Sequence, residues 1–371
     1  MERMQYLVHK VGAGEKASQD LTYEEAREAA DLLLSGAATP AQAGGFLIGL
    51  RVKGETPDEM RAFTEACRGY NRPVAPGPET APLDIPVYAG KKVFFHAIVP
   101  AGFLMAAAGQ PVLLHGFSGV PGRTGVAEVL ASLGVEIGTL PEKGASRLGE
   151  CGFLYLDVAR FNPPLHRFQM LRNELGVRTI FNAVSRMIDP AASGIHLVGI
   201  SHPPYFEMTV KALTALGSKR ILILRGVEGG PEPSITSQTT GFLSENGNSE
   251  AVSFSMERRG FRSSLQPLPG GRNLFALGPT LMEPLGLSWA RRSEVAGGSP
   301  DDQAAMTEKI LSGEKTGPLR DWALLTAAYG LFASGRAAGL SDGWKLAEKA
   351  LSTGGGLDKL TQARNGSRRR P

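Results

Sequence analysis

The chain has 371 residues, of which 42% are hydrophobic and 20% are charged, so it is long enough for two globular domains. The longest apolar runs fall short of the roughly 18 residues that span a bilayer, the first ten residues lack the apolar stretch of a signal peptide, and two cysteines cannot form a disulfide framework. The net charge of +4 indicates a mild preference for anionic partners, and we expect a cytoplasmic protein with no membrane contact.

The first 70 residues are predicted to form short helices. Each predicted helix begins with a threonine whose hydroxyl can cap the first turn. Prolines at the first helical position support two of these starts, because the missing N–H costs nothing there. The three starts lie at Thr22, Thr39 and Thr56.

The second of these helices contains Gly44, Gly45 and Gly49. Each glycine weakens a helix by about 1 kcal/mol relative to alanine. The pattern indicates the close approach of another backbone, for instance across a helical dimer interface.

The proline-rich segment 70–85 predicts a hinge into a second domain. Beyond it, short apolar runs alternate with helical patterns, which is typical of a parallel α/β sheet. The predicted strands are 111–115, 195–200 and 220–224, and the predicted helices are 97–108, 123–133, 206–216, 318–335 and 342–352.

Three other segments complete the predicted organisation. Residues 162–190 are predicted to be helical and to complete the N-terminal domain, 1–72. Residues 227–250 are rich in Gly, Ser, Thr and Pro and predict a mobile loop within the α/β domain, 80–355. The basic segment 356–371 is predicted to be a disordered tail.

Two long motifs carry a family resemblance. Residues 45–59, with the sequence GFLIGLRVKGETPDE, and residues 172–182, with the sequence RNELGVRTIFN, resemble the anthranilate phosphoribosyltransferase family. The resemblance runs from about residue 10 to residue 355. It implies an α/β domain with a separate small helical domain, as in class III nucleoside phosphorylases. It also implies a homodimer formed through the helical domain and an active site in the cleft between the domains.

The diphosphate-binding motif of that family is replaced here. Its Gly-Thr-Gly-Gly-Asp-Gly loop matches residues 87–92, where only Gly90 stays in register and Lys91 takes the place of the acid. Glycines in such a loop let backbone N–H groups approach phosphate oxygens. The next two family motifs fall on 97–100 and 114–118, where only His115 and Gly116 of the second phosphate-binding motif remain.

The metal-binding acids of the family fall on Pro231 and Glu232. Proline cannot ligate a cation, and one carboxylate is a poor site for Mg²⁺. No cofactor is therefore predicted, and Mg²⁺ is expected only if the chain is an active transferase. Arg172 matches the arginine that contacts the anthranilate carboxylate in the family, and Arg178 is also retained.

The candidate ligand- or phosphate-binding residues follow from this register, and no catalytic residue is assigned. Arg123 is included because it follows a glycine-rich turn near a helix start, where anions are favoured. Alternatives stay open: the two lysines can form a solvated turn, Arg123 can be a surface arginine, and His115 can be a satisfied core histidine. The candidates are Tyr88, Gly90, Lys91, Lys92, His115, Gly116, Arg123 and Arg172.

Two functions are compatible with these residues. Residues 85–91 and 201–205 resemble a divergent second branch of the family, which lacks the diphosphate motif and includes nucleic-acid-binding proteins. The main prediction is therefore a polyanion-binding protein, with single-stranded DNA or RNA as partner and without the family's Mg²⁺-dependent catalysis. The alternative is an active phosphoribosyl or glycosyl transferase acting on an aromatic amine.

The nucleic-acid hypothesis assigns roles to further residues. Basic side chains would line a groove that follows the phosphates, and aromatic rings would stack on bases. The basic set is Lys91, Lys92, Arg123, Arg172, Arg186, Lys219 and Arg220, and the aromatic set is Tyr88, Phe94, Phe95 and Phe117.

Overall fold

The structure is a computed structural model. It describes residues 2–14, 16–77, 81–120, 122–202, 204–237, 239–257, 260–263, 285, 287 and 289–368. Within these ranges, every helix is too short or too polar to cross a membrane.

Four helices form the N-terminal bundle. The predicted threonine caps are confirmed: Thr22, Thr39 and Thr56 each accept a hydrogen bond from the backbone N–H three residues later, and the residue at that position bonds back. These reciprocal bonds satisfy N–H groups that a helix start otherwise leaves unpaired. The helices are α1 (Glu2–Gly12), α2 (Tyr23–Leu34), α3 (Pro40–Lys53) and α4 (Pro57–Gly69).

The glycines of α3 have an explanation within the chain. A Cβ on Gly49 would lie 3.1 Å from the Cα of Gly12 on α1, so the two helices cross with their backbones in contact. The close approach that the glycines predict is therefore present at Gly49, but between α1 and α3 and not across a dimer interface.

A mixed sheet forms the second domain. Its spatial order is β3-β2-β1-β4-β5-β6-β7-β8; the first five strands are parallel and the last three extend the sheet antiparallel. The strands are β1 (Leu83–Pro86), β2 (Val112–Gly116), β3 (Phe153–Asp157), β4 (Ile195–Gly199), β5 (Arg220–Leu224), β6 (Thr239–Glu245), β7 (Asn248–Glu257) and β8 (Gly260–Ser263).

Two predictions about this region are compared with the structure. The proline-rich segment predicted as a hinge connects α4 to the sheet, and only its last residues, from Leu83, belong to the central strand β1. The segment predicted as a mobile loop contains β6, which pairs with β5 from Arg220 opposite Glu245 to Leu224 opposite Gly241. Its two large apolar residues, Phe242 and Leu243, are adjacent and join the cores on opposite faces of the sheet, so this strand is built with few apolar residues.

Helices cover both faces of the sheet, and one group also contacts the N-terminal bundle. Arg167 Nη2 donates to the carbonyl of Leu34 at 2.9 Å, and the rings of Phe63 and Phe181 meet edge to face. The helices are α5 (Ile98–Ala107), α6 (Val126–Ser132), α7 (Pro141–Cys151), α8 (Val158–Phe161), α9 (Pro163–Leu175), α10 (Ile180–Val184), α11 (Pro204–Ala215), α12 (Pro300–Leu311), α13 (Pro318–Ala333), α14 (Leu340–Ser352) and α15 (Gly355–Arg368).

The parallel strands are buried on both faces. Along β5, Ile221 and Ile223 join the core shared with the helical bundle, whereas Leu222 and Leu224 join the core under α5 and α13. Alternate residues of a strand point to opposite faces, which explains why this strand has a continuous apolar run.

The C-terminal segment is a helix as far as Arg368, so the predicted disorder from residue 356 is wrong for these residues. Leu360 and Ala363 are buried against the α/β domain. Arg364 donates to the carbonyl of Leu133 and pairs with Glu308. The prediction relied on the basic composition of this segment and did not recognise the apolar face of the helix, which packs against the rest of the chain.

Candidate active site

A cavity of about 230 Å³ lies where the helical bundle meets the carboxyl end of β4. This edge of a parallel sheet is the usual place for ligands, because the connecting loops leave a crevice there. Arginine, hydroxyl and amide side chains line the cavity together with one acid. The lining residues are Arg51, Glu55, Arg178, Thr179, Asn182, Ala183, Arg186, Ile200, Ser201, His202, Tyr205 and Thr209.

Arginines give this cavity a surplus of positive charge. Arg186 is fixed by its bonds to the carbonyls of Asn182 (2.7 Å) and Gly199 (3.1 Å). Burial, followed by the charge of Arg178, lowers the pKa of Arg186 to about 10. Burial, followed by the charges of Arg172, Arg123 and Arg51, lowers the pKa of Arg178.

No acid in the described part of the chain forms an ion pair with Arg51, Arg172, Arg178 or Arg186. Like charges held together without counterions are unfavourable unless an anion joins them. The arrangement therefore fits an anionic ligand. Arg172 does not line the cavity, but its charge acts on both Arg178 and Arg186.

Glu55 is the one acid among the lining residues of the cavity. The hydroxyl of Tyr205 donates to Glu55 Oε2 at 3.2 Å. Burial raises the pKa of Glu55 above its ordinary value, which makes this carboxylate a better proton acceptor. The sequence analysis missed Arg51 and Glu55 as site residues, although both lie in the motif at 45–59, and Tyr205 lies in the motif at 201–205.

Tyr88 and His115 are buried in the interior and do not line the cavity. The Tyr88 hydroxyl lies 3.0 Å from His115 Nδ1, and His115 Nε2 lies 3.1 Å from Asp84 Oδ1. His196 binds the other oxygen of the same carboxylate at 3.0 Å. Both side chains are buried and neither lines the cavity, so His115 is a core histidine and ligand contact by Tyr88 and His115 stays a prediction.

Lys91 is also buried. Its ammonium lies 2.7 Å from Glu232 Oε1, donates to the carbonyl of Phe95 at 2.9 Å and lies 4.8 Å from the centre of the Trp322 ring. Because its side chain is buried, the solvated turn is wrong for Lys91, whereas ligand contact by this lysine stays a prediction. Burial is the largest influence on the Lys91 ammonium and lowers its pKa, with Glu232 opposing the shift.

These contacts test whether Mg²⁺ fits at Pro231 and Glu232. Pro231 offers no side-chain ligand, and Lys91 holds Oε1 of the Glu232 carboxylate, which leaves the buried Oε2 as the one oxygen without a partner in that side chain. Nor does the described part of the chain hold a cluster of three or more His, Cys, Asp and Glu side chains placed to hold a metal ion. Because Mg²⁺ requires several oxygen ligands in octahedral geometry, the residues present do not fit it here.

The two candidate glycines have structural roles. Gly90 has a φ of 59° and a Cβ there would lie 3.1 Å from the Cβ of Arg123. A Cβ on Gly116 would lie 3.1 Å from the carbonyl oxygen of Val87. Both positions therefore need glycine for close packing, and ligand contact by Gly90 and Gly116 stays a prediction.

Arg123 and Lys92 lie at the surface, beside Glu228. Arg123 Nη1 donates to the carbonyl of Gly90 at 3.1 Å and to Glu228 Oε2 at 3.3 Å. The Lys92 side chain is exposed, while its backbone N–H binds Glu228 at 2.6 Å. The sequence analysis did not single out Glu228.

The predicted nucleic-acid groove is not continuous. Arg220 begins β5 at the edge opposite the cavity and donates to the carbonyls of Ala333 and Phe332. Lys219 precedes it at the same edge. Phe95 and Phe117 are buried, as is Tyr88, so these rings cannot stack on bases in this structure.

Comparisons with known proteins agree with this architecture. Residues 5–70 match a glycosyl transferase family helical bundle domain, and residues 95–277 match a glycosyl transferase family a/b domain. The chain is 34% identical over 358 residues to an anthranilate phosphoribosyltransferase from Desulfitobacterium hafniense, covering 96% of this chain and 98% of that protein. It is 33% identical to one from Methylocella silvestris, covering 98% and 96%.

Solved structures show the same fold. The crystal structure of anthranilate phosphoribosyltransferase from Thermus thermophilus superposes with a TM-score of 0.79 at 28% identity, covering 99% of this chain and 100% of that one. The Saccharomyces cerevisiae enzyme in complex with PRPP and Mg has a TM-score of 0.77 at 17% identity and covers 98% of both chains.

The fold and the interdomain cavity thus define a two-domain protein of the glycosyl transferase class. Within that class, the chain belongs to the anthranilate phosphoribosyltransferase family.

Proposed function

We propose that this protein transfers a pentosyl group from a phosphorylated donor to the amino group of a small aromatic acid. The observation that carries the proposal is the interdomain cavity, in which arginines without acidic partners face a single acid. Its volume of about 230 Å³ is suited to one aromatic ring with small substituents. The similar proteins from Desulfitobacterium hafniense and Methylocella silvestris are both named anthranilate phosphoribosyltransferase, and anthranilate is a small aromatic amino acid of this kind.

The residues of the cavity have roles that follow from their charge. Arg178 and Arg186 would bind the acceptor's carboxylate by charge-assisted hydrogen bonds. Glu55, with its raised pKa, would accept the proton that the amine loses as its nitrogen bonds to the sugar carbon. Tyr205 would orient that carboxylate through their hydrogen bond.

Arginines would also neutralise the leaving group. As the new C–N bond forms, the bond from the sugar carbon to the donor's diphosphate breaks and negative charge develops on the departing oxygens. Arg51 lines the cavity, and Arg172 adds positive charge beside it. Preorganised cations of this kind stabilise a transition state without reorganisation. No step of this proposal uses Mg²⁺ at Glu232, where the side chains do not fit it.

Titration of anthranilate into the purified protein tests acceptor binding. Replacing Arg178 by methionine (R178M) removes one charge-assisted hydrogen bond, worth about 1.5–3 kcal/mol, so we expect affinity to fall roughly 10- to 100-fold. The exposed Arg160 provides the control, and R160M should bind as the wild type does. Equal affinities in the wild type and R178M would refute the assignment of the cavity.

A second candidate is polyanion binding without turnover. Polyanion binding is favoured by the surplus positive charge at the cavity, which is more than a single carboxylate would neutralise. This charge comes from Arg51, Arg172, Arg178 and Arg186. Single-stranded nucleic acid remains the proposed partner in this case. A labelled oligonucleotide should then bind with an affinity that falls steeply between two salt concentrations. Absence of binding at low salt excludes this candidate.

We also propose a cytoplasmic homodimer formed through the helical bundle. Tyr6 on α1 and Val52 on α3 are large apolar residues that are 47% and 77% exposed. Both cysteines are buried free thiols, which suits a reducing compartment. Sedimentation should show a dimer in the wild type and a monomer in V52E, and a monomeric wild type would refute the dimer.

A further inference from the structure

One face of α10 forms part of the cavity wall and has an arginine at each end. Thr179, Asn182 and Ala183 line the cavity with the three- and four-residue spacing of a single helical face. Arg178 lies just before this face, and Arg186 lies in the short turn that follows the helix. About two helical turns of backbone therefore separate the two arginines.

Both arginines have donors left for a ligand. Arg186 uses Nε and Nη1 to bind the carbonyls of Gly199 and Asn182, whereas its Nη2 has no hydrogen-bond partner among the described residues and is open to the cavity. The guanidinium of Arg178 makes no hydrogen bond or ion pair within the same residues. Because one arginine can bind both oxygens of a carboxylate, Arg178 alone can hold the carboxylate of a simple aromatic acid.

Positive charge at the Arg186 end of the cavity is not offset by the lining acid. Burial has the largest influence on the pKa of Glu55 and raises it, and Arg51 is the cation that acts on this carboxyl. Burial and then the charge of Arg178 lower the pKa of Arg186, and Glu55 is not among the groups that influence it most. The acid therefore acts at the Arg51 end of the cavity, and a ligand anion at Arg186 meets no acidic competitor among the lining residues.

The donor's leaving group does not account for Arg186. In the proposed function that group is neutralised by Arg51 and Arg172, and the carboxylate beside the amine needs only the fork of Arg178. Two cations that face one cavity repel each other unless anions neutralise them. An acceptor with a second acidic group on the far side of its ring would place one anion at each of the two arginines of this wall.

We propose that the acceptor is an aromatic amine with two carboxylates, of which Arg178 holds the one beside the amine and Arg186 holds the one on the far side of the ring. The inference rests on the proposed function, because it concerns the same cavity, and it refines that function by giving each arginine a carboxylate of its own. Arg186 is then the residue that determines specificity, since it favours a dicarboxylate over anthranilate.

Calorimetric titration with three related ligands tests the inference. 2-Aminoterephthalate carries the second carboxylate, its 4-methyl ester keeps the bulk of that group without the charge, and anthranilate lacks the group altogether. The wild type should bind the diacid at least about tenfold tighter than the ester or anthranilate, because only the diacid gains a charge-assisted hydrogen bond from Arg186. The ratio of the affinities for the diacid and the ester measures this preference.

Variants assign the preference to one arginine. R186M should reduce it to less than about threefold, and R186Q, which keeps a donor for the carbonyl of Gly199, serves if R186M folds poorly. R178M should weaken all three ligands and keep the preference, and R160M should change neither. The inference is overturned if the wild type shows no preference or if the preference persists in R186M and R186Q, whereas anthranilate binding that depends on Arg178 would still support the proposed function. Failure of all three ligands to bind would overturn both.

Discussion

Lys91 illustrates how one side chain changes a site. The family's motif places an acid at this position, whereas the ammonium here is buried against Glu232 and the ring of Trp322. The register with the family motif predicted the change in charge. The position of the Lys91 ammonium could not be predicted from sequence, because a flexible lysine side chain can adopt many directions. The partner lies 141 positions further along the chain and is brought close only by the turn after β5.

Removing either member of this pair should destabilise the fold. K91M leaves the Glu232 carboxylate buried and unpaired, and E232Q does the same to the ammonium, at about 3–5 kcal/mol each. K91M/E232Q removes both charges and should lose less stability than either single change. Urea unfolding measures all three, with K92M as the exposed control, expected within about 0.5 kcal/mol of the wild type. Additive losses would show that the pair is not coupled.

His96, beside this pair, predicts a pH dependence of stability. Burial first, then the charge of Lys91, lowers its pKa to about 3, and its Nε2 donates to the carbonyl of Thr124 at 2.8 Å. The unfolded chain takes up a proton near pH 6.5 and the folded chain does not. Stability should therefore fall as the pH drops from about 6.5 towards 3, by up to about 1.4 kcal/mol per unit.

The measurement is the free energy of unfolding between pH 6.5 and 4.5 for the wild type and for H96Q. The variant should show a shallower slope, whereas H9Q, which changes an exposed histidine, should keep the wild-type slope. Identical slopes in the wild type and H96Q would contradict a neutral, buried His96.

At the scale of elements, local signals predicted most of the helices and parallel strands. Cap residues and apolar runs depend on neighbours in sequence, so the starts at Thr22, Thr39 and Thr56 and the strand at 220–224 are confirmed. The outer strand at 239–245 and the helix at 355–368 escaped prediction. Both are stabilised by packing against distant parts of the chain, which overrides weak local preference.

Two glycines in the same helix provide a matched test of element packing. On α3, a Cβ at Gly49 would meet the α1 backbone at 3.1 Å, whereas at Gly45 it would meet only the Val8 side chain at 3.7 Å. Alanine is favoured over glycine in a helix by about 1 kcal/mol. Thermal unfolding should therefore show G45A neutral or stabilised and G49A destabilised by about 1–3 kcal/mol, because overpacking outweighs propensity. Equal effects would contradict the backbone contact.

At the scale of the whole molecule, the sequence predicted the fold class but not the full set of residues that line the interdomain cavity. The two motifs at 45–59 and 172–182 identified both domains, and the structure brings their arginines to one cavity. Tyr88, Lys91 and His115 were chosen by register with the family's phosphate loops, and their side chains are buried. Register transfers backbone position between relatives, but side-chain direction follows the local packing.

The central claim is that arginines of the interdomain cavity, and no metal ion at Glu232, support transfer to an aromatic amine. Its most direct test mixes anthranilate and phosphoribosyl diphosphate with protein purified from a host that lacks its own such enzyme, and follows product by chromatography in excess EDTA. We predict product at a rate that Mg²⁺ changes less than about threefold and that R178M lowers at least tenfold. Absence of product under both conditions, or product only with Mg²⁺, would contradict the account.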